Sequence, residues 1–267
     1  MDVVDFLRFP VHFLLGFSRS GTSLVMSYLR GHSQIETGYE EPNSLYRLLT
    51  AIRWSEEYEE ELAVPIDVIK GIHDSAIGLH TTFYYKRLCD ITKKKIAVLK
   101  HPWLNVYTRQ LGEIFPQAHF IGLLRHPYDV IASTIDFRNS DRQAGLMFPE
   151  DLNKLMDLYW RHMRILWNAR NVLKGRLIFV KFEEFIGAPG KVLGTMFKHY
   201  GARVGNEEIS EVLAKASSGS LELTARVLMT PKLITPKNKW SKLSKDDQDR
   251  IRNYLSPALE KFGYEDK

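Results

Sequence analysis

Short runs of apolar residues alternate along the chain with longer amphipathic segments. Each run is four to six residues long and mostly apolar, which is typical of strands buried on both faces of a parallel sheet. The predicted strands are Val11–Leu15, Ile96–Leu99, His119–Leu124 and Leu177–Lys181. Helices are predicted over 22–30, 102–115, 127–137, 151–174, 189–200, 206–216 and 244–262, and residues 42–92 are predicted to be mainly helical.

This alternation of strand and helix predicts an α/β fold in which helices flank a parallel β-sheet. No internal repeat, low-complexity tract or Gly/Ser linker divides the sequence, so we predict a single domain over residues 1–267. Ligands of such sheets bind beyond the carboxyl ends of the strands. Gly16, Lys100 and Arg125 each follow a predicted strand, and we expect them to lie near one site. The polar residues 138–149 predict a mobile loop.

Composition limits the possible partners and compartments. The chain has 267 residues, with 37 Lys and Arg against 32 Asp and Glu, which leaves a net charge of +5. This mild surplus suits an anionic small ligand, whereas a nucleic-acid-binding protein would carry a dense basic stripe. Cys89 is the sole cysteine, which excludes an internal disulfide and favours a reducing, cytoplasmic compartment. No run of about 20 apolar residues predicts a membrane helix.

The segment from Gly16 to Ser23 joins a predicted strand to a predicted helix. Backbone amides at such a turn, together with the helix N-terminus, form a site for phosphate. Gly16 and Gly21 have the spacing of the nucleoside triphosphate loop G-x-x-x-x-G-K-[ST]. Thr22 stands in place of the lysine of that motif, and the cation, Arg19, comes before the second glycine. The loop therefore predicts a phosphorylated ligand, and a P-loop small-molecule kinase that uses ATP is the alternative.

Four blocks of the sequence carry a resemblance to a known family. They are Arg19–Ser23, Lys100–Pro102 with Phe115–Ala118, Phe120–Ser133, and Lys239–Trp240 with Phe262–Tyr264. In this order they resemble the sulfotransferases that use 3′-phosphoadenosine 5′-phosphosulfate (PAPS), especially the bacterial and tyrosylprotein branches. In that family a serine comes eight positions after a strand-end arginine, as Ser133 follows Arg125 here. The resemblance, from about residue 11 to residue 264, implies the P-loop-NTPase-like fold of those enzymes.

The resemblance also implies an activity and a role for each residue. A sulfuryl group would pass from PAPS to an acceptor hydroxyl or amine, with 3′-phosphoadenosine 5′-phosphate (PAP) as the second product. Negative charge grows on the oxygen between phosphorus and sulfur, so a cation should neutralise it; Arg19 is the first candidate and Lys100 the second. The remaining donor-binding candidates are Ser20, Gly21, Thr22 and Ser23 for the 5′-phosphate, Arg125 and Ser133 for the 3′-phosphate, and Lys237, Lys239 and Trp240 from the C-terminal segment. Trp240 has an alternative role in packing on the last helix.

An acceptor hydroxyl requires a base that takes its proton. The related branches place a catalytic glutamate where Glu40 and Glu41 stand here, and Glu41 is preferred because it precedes Pro42. His101 is a further candidate, although the histidine of the cytosolic small-molecule branch corresponds here to Pro102, and a local hydrogen bond is the alternative for His101. The histidines show no metal-ligand spacing, so no metal is predicted.

No motif identifies the acceptor or the oligomeric state. A small molecule, a lipid or a carbohydrate is compatible with the sequence, and no nucleic-acid partner is expected. Aromatic residues that could form an acceptor wall are Tyr39, Trp54, Tyr58, Phe137 and Phe148. A module that binds the nucleotide without chemistry is a further alternative, but Arg19, Lys100 and the glutamate pair argue against it.

Overall fold

The computed structural model describes residues 9–38, 44–50, 66–218 and 239–266. Its strands are β1 (Val11–Leu15), β2 (Ile35–Glu36), β3 (Ile96–Leu99), β4 (Phe120–Leu124) and β5 (Leu177–Lys181). All the pairs are parallel, and within the described residues they form one sheet in the order β2-β3-β1-β4-β5.

Helices lie between and around these strands. The α-helices are α1 (Thr22–Gly31), α2 (Ile66–Thr92), α3 (Thr108–Ile114), α4 (Pro127–Ser140), α5 (Arg142–Met147), α6 (Leu152–Asn168), α7 (Arg170–Leu173), α8 (Phe182–Gly187), α9 (Pro189–His199), α10 (Asn206–Ser217) and α11 (Lys245–Phe262). Residues 44–50 are also helical. Short 3-10 helices cover Leu104–Tyr107, Lys174–Arg176 and Trp240–Lys242.

The sheet separates two apolar layers because successive side chains of a strand point to opposite faces. Phe13 and Leu15 of β1 contribute to one layer, which also contains residues of α3, α6 and α11. Leu14, between them, contributes to the other layer, together with residues of α1, α8, α9 and α10. This arrangement explains why the strand sequences are mostly apolar on both faces rather than alternating.

The strand order brings the predicted site residues together. β1 lies between β3 and β4, with Phe13 paired to Leu99 on one side and to Phe120 on the other. After β1 the chain forms β2 and β3 on one side of β1, and it then forms β4 and β5 on the other side. At such a point of the topology a crevice opens beyond the carboxyl ends of the strands. The residues that follow β1, β3 and β4 therefore lie at the same edge of the sheet.

The structure adds one strand to those predicted and corrects one predicted loop. β2 has only two residues, with Ile35 paired to Ile96, so it is too short to produce a recognisable apolar run and was not predicted. Residues 138–149 do not form an irregular loop, because α4 continues to Ser140 and α5 follows. The Arg138 guanidinium donates to the carbonyl oxygens of Pro149 and Glu150 at 2.6 and 2.9 Å. These hydrogen bonds connect the two ends of the segment 138–150.

The helix predicted over 151–174 is divided, since α6 and α7 flank Ala169 and Lys174 ends α7 with a φ of 49°. The helix predicted over 102–115 begins as a 3-10 helix and becomes α-helical only at Thr108. Across the described ranges, none of the helices combines the length and apolar character needed to cross a membrane.

Candidate functional site

Residues 16–23, here called the glycine loop, connect β1 to α1. Gly21 has a φ of 95°, and a Cβ at this position would lie 2.3 Å from the Phe182 ring. Glycine is thus required both for the backbone conformation and for the close contact. The backbone amides of the first turn of α1 have no acceptor within the helix, and the helix dipole adds partial positive charge there.

Ser20 lies in the middle of the glycine loop and is only 1% exposed. Its amide donates to the Phe17 carbonyl at 3.1 Å, whereas its hydroxyl has no hydrogen-bond partner among the described residues. A buried hydroxyl without a partner is costly. A phosphate oxygen bound in the loop would accept from this hydroxyl, so the loop fits a phosphate group.

Arg19 occupies a left-handed backbone conformation with a φ of 68°, which is uncommon for a residue other than glycine and occurs often at functional sites. Its guanidinium lies 4.6 Å from the centre of the Phe137 ring. Its Nε is 3.4 Å from the Ser133 hydroxyl oxygen and donates to it. Arg19 and Ser133 are 114 positions apart in sequence. Their contact therefore brings together the sequence blocks Arg19–Ser23 and Phe120–Ser133.

Arg125 follows β4 and points toward the same place. One of its terminal nitrogens donates to the Arg19 carbonyl oxygen at 2.9 Å, and its guanidinium lies 5.1 Å from the centre of the Phe182 ring. The two arginines and Ser133 therefore form one polar cluster beside the glycine loop.

This cluster is electrostatically suited to an anion. Burial lowers the pKa of Arg19, the charge of Arg125 lowers it further, and Asp136 opposes both effects. Burial also lowers the pKa of Arg125, which Asp129, Glu183 and Tyr264 oppose. Both arginines remain protonated at neutral pH, so two partly desolvated positive charges lie close together. A phosphate with its several oxygens would stabilise both of them.

Glu183, at the start of α8, fixes the turn that carries Arg125. Its carboxylate accepts a hydrogen bond from the His126 amide at 2.9 Å and one from the Tyr264 hydroxyl at 2.8 Å. Sequence reasoning missed Phe182 and Glu183, because their importance comes from contacts with segments far away along the chain. Their place directly after a predicted strand was the available signal.

Lys100 and His101 follow β3, on the other side of the glycine loop. His101 is buried, its Nδ1 accepts from the Trp103 amide at 3.3 Å, and its ring stacks on Tyr46 at 4.8 Å. The hydrogen bond from the Trp103 amide is a local contact of the kind that the sequence analysis gave as the alternative to a catalytic role for His101. Lys100 is half-buried at the strand end.

Asn105 connects the segment after β3 to the glycine loop. This residue was not identified in the sequence analysis. Its side-chain oxygen accepts from the Gly16 amide at 3.0 Å in a buried position. This bond fixes the first residue of the loop relative to the end of β3. An asparagine in a short 3-10 helix carries no signal of such a contact until the two segments are brought together.

The C-terminal candidates lie along α4. Lys239 forms a salt bridge with Asp136, one helical turn from Ser133. Trp240 is buried in the apolar core and stacks on Tyr128 of α4 with 4.6 Å between ring centres, whereas the packing alternative places it on the last helix. Glu40, Glu41 and Lys237 lie outside the described residues, and so do Tyr39, Trp54 and Tyr58 of the acceptor-wall candidates.

The other two acceptor-wall candidates have definite positions. Phe137 underlies Arg19, as described above. Phe148 packs on Phe17 of the glycine loop and on Trp103, with ring-centre distances of 6.2 and 6.0 Å. Within the described parts of the chain, no group of three or more His, Cys, Asp or Glu side chains is arranged to hold a metal ion.

Comparison with known proteins assigns this arrangement to a family. A family model described as the sulfotransferase family matches residues 10–205. The omega-hydroxy-beta-dihydromenaquinone-9 sulfotransferase Stf3 of Mycobacterium tuberculosis, and that of Mycobacterium bovis, are each 31% identical to this chain over 130 residues. The match covers 47% of this chain and 34% of each relative, so it spans about a third of the relatives' length.

Solved structures show the same fold. Sulfotransferase STF9 from Mycobacterium avium superposes with a TM-score of 0.57 at 17% identity, over 97% of this chain and 78% of that protein. The sulfotransferase domain of the curacin biosynthetic pathway gives 0.58 at 15% identity, over 96% and 98%. Mouse sulfotransferase SULT7A1, complexed with PAP, gives 0.58 at 14% identity, over 98% and 90%. The predicted α/β class and P-loop-like sulfotransferase fold are confirmed.

Proposed function

The chain belongs to the sulfotransferase family, and on that premise we propose that it transfers the sulfuryl group of PAPS to a hydroxyl or amine of a small-molecule, lipid or carbohydrate acceptor. The observation that carries the proposal is the meeting of Arg19, Arg125 and Ser133, with 2.9 Å between Arg125 and the Arg19 carbonyl and 3.4 Å between Arg19 and Ser133. Three positions from two separate sequence blocks thereby form one anion site.

The donor is held by phosphate contacts on the chain. The amides at the start of α1 and the hydroxyls of Ser20, Thr22 and Ser23 bind the 5′-phosphate, and the unpartnered Ser20 hydroxyl supports this assignment. Arg125 and Ser133 bind the 3′-phosphate, because an arginine fork can contact two phosphate oxygens at once. Lys239, and with it Lys237, adds positive charge from the C-terminal segment.

PAPS supplies an activated sulfuryl group, which leaves its phosphate oxygen as a bond forms between sulfur and the acceptor oxygen. Charge then grows on the phosphate oxygen that is left behind, and Arg19 and Lys100 neutralise it. The proton of the acceptor hydroxyl goes to a carboxylate, Glu41 or Glu40. His101 is the weaker candidate for this base, since it is buried and engaged with the Trp103 amide and the Tyr46 ring.

A lipid alcohol is one acceptor class that the relatives suggest. The name of Stf3 gives its acceptor as an omega-hydroxylated dihydromenaquinone, which is a lipid-like molecule with a terminal hydroxyl. Since the match covers 34% of Stf3, this acceptor is a starting point for a panel and not an assignment. The panel therefore includes prenylated and alkyl alcohols, phenols and sugars.

Calorimetric titration with PAP in the absence of metal, compared with titration by ATP and Mg²⁺, tests the donor assignment. We expect PAP to bind in the micromolar range and Arg125→Ala to weaken it at least about tenfold, because hydrogen bonds to charged groups contribute about 1.5–3 kcal/mol. Arg109→Ala is the matched control, since this exposed side chain pairs with Glu113 away from the loop.

Three outcomes would contradict the proposal in different ways. Preference for Mg²⁺-ATP would replace it with the kinase alternative. Unchanged PAP affinity in Arg125→Ala would remove Arg125 from the 3′-phosphate site. Tight PAP binding without turnover of PAPS against the whole acceptor panel would favour a module that binds the nucleotide and has no chemistry.

A further inference from the structure

The residues that follow α11 lie against the turn after β4. Gly263 ends α11 in a left-handed conformation with a φ of 66°, and its carbonyl oxygen accepts from the Lys181 ammonium at 2.5 Å. Two residues later, the Glu265 carbonyl oxygen lies 3.0 Å from Nε2 of His126, within hydrogen-bond distance. Residues 263–265 are therefore attached both to the end of β5 and to the turn after β4.

Tyr264, between these two attachments, contacts the same turn through its side chain. Its hydroxyl donates to Oε2 of Glu183 at 2.8 Å, while Oε1 of the same carboxylate accepts from the His126 amide at 2.9 Å. The Tyr264 ring also lies beside the His126 ring, with 5.3 Å between the ring centres. Both oxygens of the Glu183 carboxylate thus have a donor, and neither donor is Arg125.

The Glu183 carboxylate is close enough to Arg125 to influence its charge. Burial lowers the pKa of Arg125, and Glu183 is one of the groups that oppose this effect. An arginine fork fits a carboxylate as well as a phosphate, because it can donate two parallel hydrogen bonds to either group. Glu183 would therefore compete with an anion for Arg125 unless other donors held its oxygens.

We propose that Tyr264 is a positioning residue for donor binding, because its hydroxyl holds the Glu183 carboxylate on the turn and keeps it from pairing with Arg125. This inference rests on the proposed function, which assigns the 3′-phosphate of PAPS to Arg125. The carboxylate has its own purpose on the turn, since it accepts from the His126 amide. The tyrosine lets the chain keep this carboxylate and still leaves the guanidinium for the ligand.

The protonation state of Tyr264 suits this role. Burial, followed by the charge of Glu183 and the hydrogen bond to it, raises the pKa of Tyr264. The phenol is therefore protonated at neutral pH and is able to donate. Glu183 is itself an exposed residue, so its pairing with Arg125 would have the modest strength of an ion pair in contact with solvent.

Calorimetric titration of PAP into Tyr264→Phe tests the proposal. The substitution keeps the ring and removes only the hydroxyl, so Glu183 can turn to Arg125. PAP should then bind about two- to fivefold more weakly, which is the range expected for an exposed ion pair. Tyr254→Phe is the matched control and should leave the affinity unchanged, because the Tyr254 hydroxyl donates to Asp157 of α6.

Removal of the carboxylate separates positioning from a merely structural role. In the double variant Tyr264→Phe with Glu183→Gln, no charge at position 183 competes for Arg125, so the affinity for PAP should return to at least that of the wild type. A structural role predicts the opposite, since each substitution would then loosen the turn further. Glu184→Gln removes the neighbouring charge in the first turn of α8 and should not restore binding to the Tyr264→Phe chain.

The rearrangement is also measurable without a ligand. Urea unfolding of Arg125→Ala, Glu183→Gln and the combined variant gives the coupling between these two side chains. We expect this coupling, expressed in the unfolding constant, to be about two- to fivefold larger in the Tyr264→Phe chain than in the wild type.

Three results would overturn the proposal. They are an unchanged PAP affinity in Tyr264→Phe, a double variant that binds no better than Tyr264→Phe, and an equal coupling of Arg125 with Glu183 in both chains. A wild-type chain that does not bind PAP would contradict the proposed function instead, and the coupling measured by unfolding would still decide whether Tyr264 holds the carboxylate away from Arg125.

Discussion

Glycine at position 21 satisfies two separate requirements of the loop that begins α1. Its φ of 95° is one that side chains with a Cβ rarely adopt, and the Phe182 ring occupies the space of that Cβ. Phe182 in turn packs under the Arg125 guanidinium. A substitution of Gly21 should therefore disturb both the proposed 5′-phosphate site in the glycine loop and the proposed 3′-phosphate site at Arg125.

Gly21→Ala should destabilise the protein by about 3 kcal/mol, as the sum of left-handed backbone strain and overpacking against a ring. It should also abolish measurable PAP binding, because relief of the strain displaces the amides of the loop. Urea unfolding and PAP titration measure the two effects. Gly175→Ala is the control, since a Cβ there meets nothing within 4 Å and the change should be nearly neutral. A fully stable Gly21→Ala variant that binds PAP normally would contradict this account of the loop.

At the scale of elements, α4 links the proposed phosphate-binding residues to the C-terminal segment. Ser133, Asp136 and Phe137 lie within little more than one turn of this helix and contact Arg19 or Lys239. The salt bridge to Lys239 lowers the pKa of the Asp136 carboxyl, so this carboxylate is charged at neutral pH. In the proposed donor site, Asp136 therefore competes with the 3′-phosphate for Lys239.

Asp136→Asn should strengthen PAP binding up to about fivefold, because an exposed salt bridge contributes about 0.2–1 kcal/mol and its removal releases Lys239 for the 3′-phosphate. Calorimetric titration of PAP at low and high salt measures the change, which should shrink as salt screens the charges. Glu113→Gln removes an exposed carboxylate that pairs with Arg109 and Lys70 away from the loop, and it should leave the affinity unchanged. Weaker binding in Asp136→Asn would instead assign the carboxylate a supporting role.

At the scale of the whole molecule, the buried His12 of β1 and the half-buried His119 and His199 beside it predict that stability depends on pH. His12 Nδ1 accepts from the His119 amide at 3.0 Å, and its ring stacks on Tyr200. Burial, followed by repulsion from His119 and His199, lowers the pKa of His12 to about 3. Burial lowers the pKa values of His119 and His199 as well.

Below about pH 6.5, His12 is protonated in the unfolded chain but not in the folded chain. The free energy of unfolding therefore decreases as the pH is lowered from about 6.5 to about 3. Each pH unit in this window should remove up to about 1.4 kcal/mol for this one group. Calorimetric unfolding at pH 7.5 and pH 5 should show a drop in Tm that is smaller in His12→Asn, whose amide oxygen can accept the His119 hydrogen bond. His80→Asn, at an exposed position, should leave the drop unchanged. An equal drop in wild type and His12→Asn would show that other groups control acid stability.

The sequence by itself determined the α/β class and most of the elements. β1, β3 and β5 have their predicted limits, and β4 begins one residue later than predicted, at Phe120. Strands that are buried on both faces are mostly apolar along their whole length, and this local pattern can be read without knowing what they pack against. The motifs at Arg19, Arg125 and Ser133 were also readable, because the turn between a strand and a helix is a local feature.

The tertiary structure alone decided which of these residues meet. The two-residue strand β2 is defined by its pairing with β3. The helix α5 lies in a polar segment that carries no helical pattern, and Arg138 connects the two ends of this segment by hydrogen bonds. The contacts of Phe182 with Gly21, of Asn105 with Gly16 and of Lys239 with Asp136 join residues distant in sequence. Local periodicity records which face of an element is apolar, but it contains no information about the partner of a single polar side chain. The elements therefore follow from short-range patterns, whereas the site depends on long-range contacts that exist only once the sheet has assembled.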